Sequence, residues 1–418
     1  MQKIKRVVVT GLGSLTPIGE SNQAYWQGLL KGVSGAAPIT HFDATDHKTK
    51  FACELKSYHP EDHFDRKELK KLDPCSQYAL VAAKEALEHA HLDVSKLNLE
   101  RVGVLWGTGI GGIQSMQDEI LAFAQNNLVP RFNPFFIPKM IANMPAAQIS
   151  IKYGFKGPNY VAVSACASAS HALIASVQSI QLGLADVMVT GGSEAAVTPV
   201  AIGGFNVIKA MSERNDDPAT ASRPFDKDRD GFVLGEGAGA LILEDLEYAQ
   251  ARGAKIYAEV AGVGMSSEAY HITAPEPEGN GPALVMKNAL QNAGISPEEV
   301  DYINVHGTST PLGDVSEIKA IQRIFQGHAY KINISATKSM TGHLLGAAGA
   351  IESIACILAL ENGVVPPTIN HFELDETLDP KLNYTFNHAQ PRKLSIAMNN
   401  AFGFGGHNTS VIFKKWAS

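Results

Sequence analysis

Short apolar runs alternate with longer helix-like runs along almost the whole chain, and this alternation restricts the fold more than any other feature. Val7–Thr10, Val102–Leu105, Tyr160–Val163, Val187–Thr190, Gly239–Leu243, Ile256–Val263, Tyr302–Val305, Ile332–Ser335, Leu394–Met398 and Ser410–Phe413 read as strands. Asp73–His91, Cys166–Leu182, Gly281–Ala293, Gly313–Phe325 and Leu345–Asn362 read as helices. Interleaved elements of this kind predict an α/β protein whose sheets are covered by helices. Several strands, Tyr160–Val163 among them, lack polar alternation and are expected to be buried on both faces. The 418 residues, 45% hydrophobic and 18% charged, supply apolar material for two cores.

One internal similarity divides the chain. The stretch from Tyr160 through Cys166 runs strand, Ser164-Ala165, polar elbow, then a helix of small residues. The stretch from Tyr330 through Gly349 repeats that plan, with Ser335-Ala336 before the elbow and an Ala/Gly-rich helix after it. Two halves of similar fold are expected, 1–254 and 255–418, with the connector near Ala251–Lys255.

The bulk numbers remove several function classes. A net charge of −7, from 35 basic and 42 acidic residues, argues against a nucleic-acid partner. The start, Met1–Thr10, has a short apolar run and reads as a strand rather than a secretory signal. No run approaches the ~18 apolar residues that span a bilayer, so a cytoplasmic protein without membrane insertion is expected. Cys53, Cys75, Cys166 and Cys356 are scattered without C-x-x-C spacing, which suits reduced thiols rather than a disulfide framework or a zinc cluster. The charged segment Ser212–Asp230 reads as a surface loop.

Four places could carry chemistry. Cys166 lies at a strand-to-helix corner, where unpaired N–H groups and the helix dipole favour a thiolate over a thiol of ordinary pKa, about 8.5. A small buried hydrophobe is the other reading of that cysteine. His306 ends a strand beside Gly307, a common active-site placement, though such a histidine can also simply tie down its loop. Lys338 and His343 flank a turn before Gly346 and Gly349. Those glycines are costly in a helix and imply close backbone packing, while the lysine alone could be an exposed cation and the histidine a cap. Asn399–Asn408 alternates phenylalanine and glycine through Phe402, Gly403, Phe404, Gly405 and Gly406, so backbone N–H groups can turn toward a ligand. No P-loop lysine follows it.

Jointly these segments resemble the β-ketoacyl-acyl-carrier-protein synthases, thiolase-like condensing enzymes, of the synthase II type. The resemblance runs from Val7–Gly19 to the C-terminus and includes Ser222–Gly239, His306–Asp314 and Lys338–His343. It implies a five-layered αβαβα fold of two similar halves working as a homodimer. It implies a decarboxylating condensation of acyl-carrier protein with malonyl-carrier protein through an acyl-Cys166 thioester, extending a fatty-acyl chain by two carbons. By resemblance, His306 and His343 stabilise the enolate, Lys338 organises them electrostatically, and the N–H groups of Cys166 and Phe404 form the oxyanion hole. Phe404 also corresponds to a gate between acyl and malonyl binding. Ile110, Phe205 and Phe402 match the acyl pocket, and Thr308 and Thr310 the pantetheine arm. No cofactor is required. Asn304, Glu352, Asn399 and Asn408 match positions around a structural monovalent cation, and oxygen ligands suit a hard ion.

An acidic carrier protein needs local positive charge. Arg66, Lys67, Lys70 and Lys71 fall on one helical face, and Lys209 and Arg131 match further docking positions; such a run is otherwise a solvated surface. Two departures stand in the glycine-rich loop, Ala401 for a frequent serine and His407 for a frequent threonine. A thiolase would carry a second cysteine in that loop, and chalcone-synthase-like enzymes pair one histidine with asparagine. A chain-length-factor-like partner would lack Cys166, and a scaffold that only binds carrier protein would not need the histidine pair. A polyketide ketosynthase stays open, as does acyl-chain preference.

Overall fold

The computed structural model describes residues 4–417. Its frame is ten hydrogen-bonded strands: β1 (Val7–Leu15), β2 (Val102–Gly107), β3 (Asn159–Ala162), β4 (Val187–Glu194), β5 (Gly237–Asp245), β6 (Ala258–Ser267), β7 (Tyr302–Asn304), β8 (Asn333–Ser335), β9 (Ile396–Gly403) and β10 (His407–Lys415). Their spatial order is β8-β7-β9-β10-β6-β1-β5-β4-β2-β3. Read outward from the middle, β1-β5-β4-β2-β3 and β6-β10-β9-β7-β8 are one arrangement used twice. The pairing directions repeat too. In each set the first two pairings are antiparallel and the last two parallel. The sets join through a short antiparallel ladder, Val8 opposite Glu259 and Val9 opposite Ala258.

Helices fill the layers around this frame. The five that position the site and the layers are α1 (Pro74–His89), α2 (Ser168–Gln181), α3 (Asn280–Ala293), α4 (Pro311–Phe325) and α5 (Ala348–Asn362). α2 and α5 hold corresponding places, each between the third and fourth strands of its set. They touch each other and strands of both sets, forming the middle layer, while α1 packs outside β1 and β5 and α3 outside β6 and β10. The result is the expected thiolase-like αβαβα stack. Each interface has its own core: Leu173, Ile174, Ile354 and Ile357 in the middle, Tyr78, Ala82 and Trp106 on one side, Met286, Ile303 and Ile321 on the other.

Strands run beyond their apolar signatures because glycine and buried polar residues continue them. A Cβ on Gly13 would sit 2.0 Å from the Ala82 carbonyl of α1, so helix and strand pack at backbone distance there. β4 runs on through Ser193 and Glu194, and β9 through Asn399 and Asn400, all buried.

Three expectations are overturned. Tyr160–Val163 is not buried: β3 is an outer edge strand, with Tyr160 50% and Val163 57% exposed. Ser212–Asp230 is only partly surface. Ser222, Arg223, Asp226 and Arg229 are buried, which is tolerable because Arg229 pairs with Asp314 and Asp375 at 3.3 and 2.7 Å. Leu345–Asn362 is, by its 18-residue length and mean hydropathy of 1.4, apolar enough to cross a membrane, but 89% of it is buried as the middle layer of the fold. Its first residues, Leu345–Ala347, form a 3-10 turn before α5 begins.

Candidate active site

Beyond β3 the chain turns sharply into α2. The Ser164 N–H donates to Ser168 Oγ (2.9 Å), and that hydroxyl donates to the Ala165 carbonyl (2.7 Å). Ala165 takes a positive φ of 50°, a strained setting for a residue with a Cβ. Ala167 is the residue preceding α2, so Cys166 stands outside the helix at its N-terminal mouth. The thiol is 8% exposed, and its burial outweighs the helix-start effect expected from the sequence. Burial pushes Cys166 up to about 12, while Lys338 and the backbone N–H groups of Phe404 and Cys166 itself pull the other way. The resting group is therefore a neutral thiol with its stabilising donors already in place.

Both histidines come from the second half. His306 follows β7, and its N–H and that of Gly307 donate to the buried Glu317 carboxylate of α4 at 3.0 and 2.9 Å. Burial pushes Glu317 up to about 7 against those donors. His343 is gripped by the segment before β5: its N–H donates to the Val233 carbonyl (2.7 Å) and its carbonyl accepts from Gly235 N–H (3.0 Å). Phe232 meets the His343 ring edge-on at 5.5 Å. The two imidazoles stand nearly perpendicular, centroids 5.3 Å apart, and His343 Nε2 lies 3.0 Å from Cys166 Sγ. Burial, then the neighbouring Lys338 charge, hold both histidines well below the usual imidazole range. They are neutral N–H donors at neutral pH.

Lys338 is buried, not the exposed cation that its sequence position alone allowed. It is 1% exposed and forms an ion pair with Glu352 of α5. Burial pushes Glu352 up to about 7, with Lys338 opposing. The closeness implied by the glycines is also real: a Cβ on Gly349 would lie 2.1 Å from Ser170 Oγ on α2.

The β9–β10 connection closes over Cys166. A Cβ on Gly403 would lie 2.6 Å from the Ser164 carbonyl and 3.1 Å from the Cys166 nitrogen, so only glycine lets this loop approach. The loop is tied to a neighbouring one, with Gly405 N–H on the Ile272 carbonyl (2.8 Å) and Glu268 N–H on that of Gly406 (3.0 Å). Cys166, His306 and His343 open onto a cavity of about 560 Å³. Ile110, Phe205, Thr308, Thr310, Phe402 and Phe404 line it as well, and the two threonine hydroxyls are 3.0 Å apart.

Of the four residues matched to a cation, the structure gathers three. Asn304 Oδ1, Asn399 Oδ1 and Glu352 Oε2 are buried oxygens without a hydrogen-bond partner among the described residues. Asn304 and Asn399 face each other across β7–β9, and Asn399 reaches Gly349 and Ser353 on the helix that carries Glu352. Such a set fits a hard monovalent ion. Asn408 does not join it. Asn399 pairs with Val411, so Asn408 projects from the opposite sheet face, toward Glu268 and Gly281. Cys166 Sγ and the two imidazoles lie within 4.8 Å of one another, a spacing a metal ion could bridge, but the adjoining Lys338 charge disfavours a cation there.

Arg66, Lys67, Lys70, Lys71, Arg131 and Lys209 are all exposed. The helix expected to carry the first four ends at Leu69, leaving Lys70 and Lys71 in the following turn. Lys209 lines the cavity mouth, and Lys71 lies over the Phe135 ring at 5.8 Å. Sequence reasoning assigned no role to Glu317 or to Phe232–Gly235. The latter lies inside the Ser222–Gly239 segment, whose density of glycine and charge was the available signal.

Comparison with known proteins agrees with this geometry. The sequence model described as beta-ketoacyl synthase, N-terminal domain, matches residues 4–249, and its C-terminal-domain counterpart matches residues 257–372. The chain is 49% identical over 414 residues to a 3-oxoacyl-[acyl-carrier-protein] synthase 2 of Synechocystis sp., covering 99% of this chain and 98% of that one. Among solved structures, the ishigamide ketosynthase/chain length factor superposes with a TM-score of 0.93 at 34% identity, over 99% of this chain and 100% of that one. A type II PKS acyl-carrier protein in complex with its ketosynthase bound to the hexaketide gives 0.89 at 32% identity, over 99% and 100%.

Proposed function

The chain belongs to the β-ketoacyl synthase family, and from that premise we propose that it condenses acyl-carrier protein with malonyl-carrier protein, giving 3-oxoacyl-carrier protein, CO2 and free carrier protein. The observation that carries this reading is the meeting of one thiol and two neutral imidazoles within 4.8 Å on the wall of a single cavity. Full-length 49% identity to a 3-oxoacyl-[acyl-carrier-protein] synthase 2, against 32% to the ketosynthase of a type II PKS, favours fatty-acid elongation over polyketide assembly.

In the first half-reaction Cys166 Sγ attacks the acyl thioester. The bond to the carrier sulfur breaks, and the thiol proton ends on that sulfur. The oxyanion formed on the way sits where the Cys166 and Phe404 N–H groups converge. In the second, the malonyl carboxylate leaves as CO2 and its bonding pair passes to an enolate, whose oxygen accepts N–H bonds from His306 and His343. The enolate carbon attacks the acyl carbonyl, and the sulfur departs as a thiolate that takes a proton from solvent. Lys338 serves by keeping both imidazoles neutral, since a protonated imidazole would bind the malonyl carboxylate and resist its loss. Phe404, between flexible glycines, opens and closes the path of the second substrate.

Further parts of the reading are proposals of the same kind. Carrier protein, acidic and bearing phosphopantetheine, docks on the exposed cations Arg66, Lys67, Lys70, Lys71, Arg131 and Lys209; that a carrier protein is the partner is supported by the complex of a related ketosynthase with its acyl-carrier protein. Ile110, Phe205 and Phe402 hold the acyl chain, and Thr308 and Thr310 the pantetheine. The enzyme works as a cytoplasmic homodimer across β3, divides at residue 254, and holds a monovalent cation at Asn304, Glu352 and Asn399. That ion would fix the charge balance behind Lys338 and take no part in bond making. The test is direct: the purified protein, given acyl- and malonyl-carrier protein, should release CO2 and yield a 3-oxoacyl product two carbons longer. Absence of that product would overturn the reading.

A further inference from the structure

Glu194 has no part in the steps above, yet it is a fully buried carboxylate a short distance behind them. It is the last residue of β4 and is 0% exposed. Four donors converge on it. Oε1 accepts from Thr108 Oγ1 (3.0 Å) and Ile110 N–H (3.1 Å), and Oε2 from Gly109 N–H (2.6 Å) and Gly346 N–H (2.9 Å). The first three belong to the loop after β2. The fourth belongs to the turn that follows His343 and comes from the other half of the molecule. Nothing intervenes between the two, because a Cβ on Gly346 would lie 2.1 Å from the Gly109 nitrogen. Gly109 and Ile110 form one wall of the cavity, and His343 and Leu345 form another.

We propose that Glu194 is a positioning residue that ties the acyl-binding wall at Gly109–Ile110 to the turn carrying His343, so that the chain held on Cys166 tunes decarboxylation at His343. The inference rests on the proposed condensation. Its physical basis is geometric: one oxygen, Oε2, is shared by the pocket loop and the catalytic turn. An acyl chain that presses on Ile110 shifts Gly109, and the shared carboxylate passes the shift to Gly346. A carboxylate suits this junction because it accepts from all four donors at once. The amide of glutamine has the same volume, but its NH2 would face the Ile110 N–H on the Oε1 side or both the Gly109 and Gly346 N–H groups on the Oε2 side, so at least one bond to the pocket wall is lost.

The experiment compares the unsubstituted full-length protein with Glu194→Gln. Each is acylated on Cys166 with a short and then a long chain, and CO2 release from malonyl-carrier protein is followed. The unsubstituted protein should release CO2 at rates that differ with chain length. In Glu194→Gln that difference should collapse to within about twofold, with an overall loss of about tenfold, as expected when one charge-assisted bond is lost. A merely structural role would lower all rates in proportion and leave the chain-length dependence intact; that result, or slowed acylation with normal CO2 release, overturns the inference. Equal rates for both chains in the unsubstituted protein overturn it too. Failure of the unsubstituted protein to form acyl-Cys166 would instead sink the condensation itself. If Glu194→Gln does not fold, Thr108→Val removes one donor on the pocket side alone and should weaken the same dependence by a smaller factor; an unchanged dependence there counts against the proposal.

Discussion

The two halves share one strand order, but their outer strands meet opposite fates. β8 is buried throughout, because the chain between Thr368 and Gln390 returns to cover it. Ile334 N–H donates to the Asn383 carbonyl (2.8 Å), and the Asn333 amide reaches Thr385 and Gln390 (3.1 and 2.7 Å). The corresponding strand of the first half, β3, has no such cover from its own chain among the described residues. It exposes Tyr160, and the same half also exposes Ile120, Leu121, Phe132 and Ile137. An uncovered apolar edge is a pairing site. The elbows that follow these strands diverge in the same way. One presents Cys166 to the cavity, and the other turns Lys338 inward to Glu352. One scaffold is used twice, and burial distinguishes the two copies. The half with the open edge carries the covalent handle, and the half with the closed edge carries the electrostatics.

The largest effect should come from removing the handle. Cys166→Ala is expected to lower acyl-enzyme formation by at least about a thousandfold, since no other group is placed to form the thioester. CO2 release from malonyl-carrier protein should persist, because its histidines and cation lie in the other half. Intact mass and CO2 assays on one preparation would decide it, and equal loss of both activities would show that the halves do not divide the work.

Lys338→Met attacks the other elbow. It leaves Glu352 buried and unpaired, a defect that costs about 3–5 kcal/mol when the orphan stays charged. Glu352, already raised to about 7, would escape by taking a proton, so the fall in melting temperature should be greater above neutral pH than below it. The histidines give a second sign. Lys338 opposes their protonation, so without it they gain protons at higher pH, and the acid limb of CO2 release should move upward. A stability loss independent of pH, with an unmoved limb, would remove Lys338 from its proposed role.

Much of this division was legible in the sequence, for reasons particular residues make plain. Strands buried on both faces must be apolar, so Val7–Val9 and Val187–Val189 declared themselves. Cys166, His306, Lys338 and His343 stood out because small residues and glycines surround them, as close packing at a site demands. Glu317 and Glu194 did not stand out. Each sits at an ordinary position on a helix or strand end, and its role comes from donors brought by distant segments. Asn408 was misplaced because its face follows from the β9–β10 register, which pairs Asn399 with Val411 and is invisible before pairing is known. The same limit applies to Tyr160–Val163, whose apolar run signals burial but not whether its own chain or another supplies the cover.

That open edge yields the third prediction. Val163→Lys places a charge where a second copy should pair, and is expected to weaken self-association by about ten- to a hundredfold, the usual cost of an unpaired charge in an interface. Sedimentation at several concentrations would measure it, and the isolated subunit should keep its helical content. If the unsubstituted protein sediments as a monomer, β3 is not the contact.

The smallest effect concerns the seam where the halves join. His89 Nδ1 accepts the Leu12 N–H of β1 (3.1 Å), which leaves the proton on Nε2, 2.8 Å from the Tyr257 hydroxyl next to β6. Burial, and then Lys255, hold this histidine below its usual range; Glu361 opposes them and His91 adds slightly. A lowered pKa means that the unfolded chain binds the proton first. The contribution is therefore complete above the unfolded value of about 6.5 and is lost as pH falls through the folded one. Protonation also costs the Leu12 contact, because Nδ1 can no longer accept. Since His89 is only partly buried, the expected signal is modest, about one or two degrees of extra melting-temperature loss between neutral and mildly acidic pH. His89→Gln should flatten that slope. If the substituted and unsubstituted proteins lose stability in parallel, the seam does not sense pH, and the acid sensitivity of the fold must come from carboxylates within the halves.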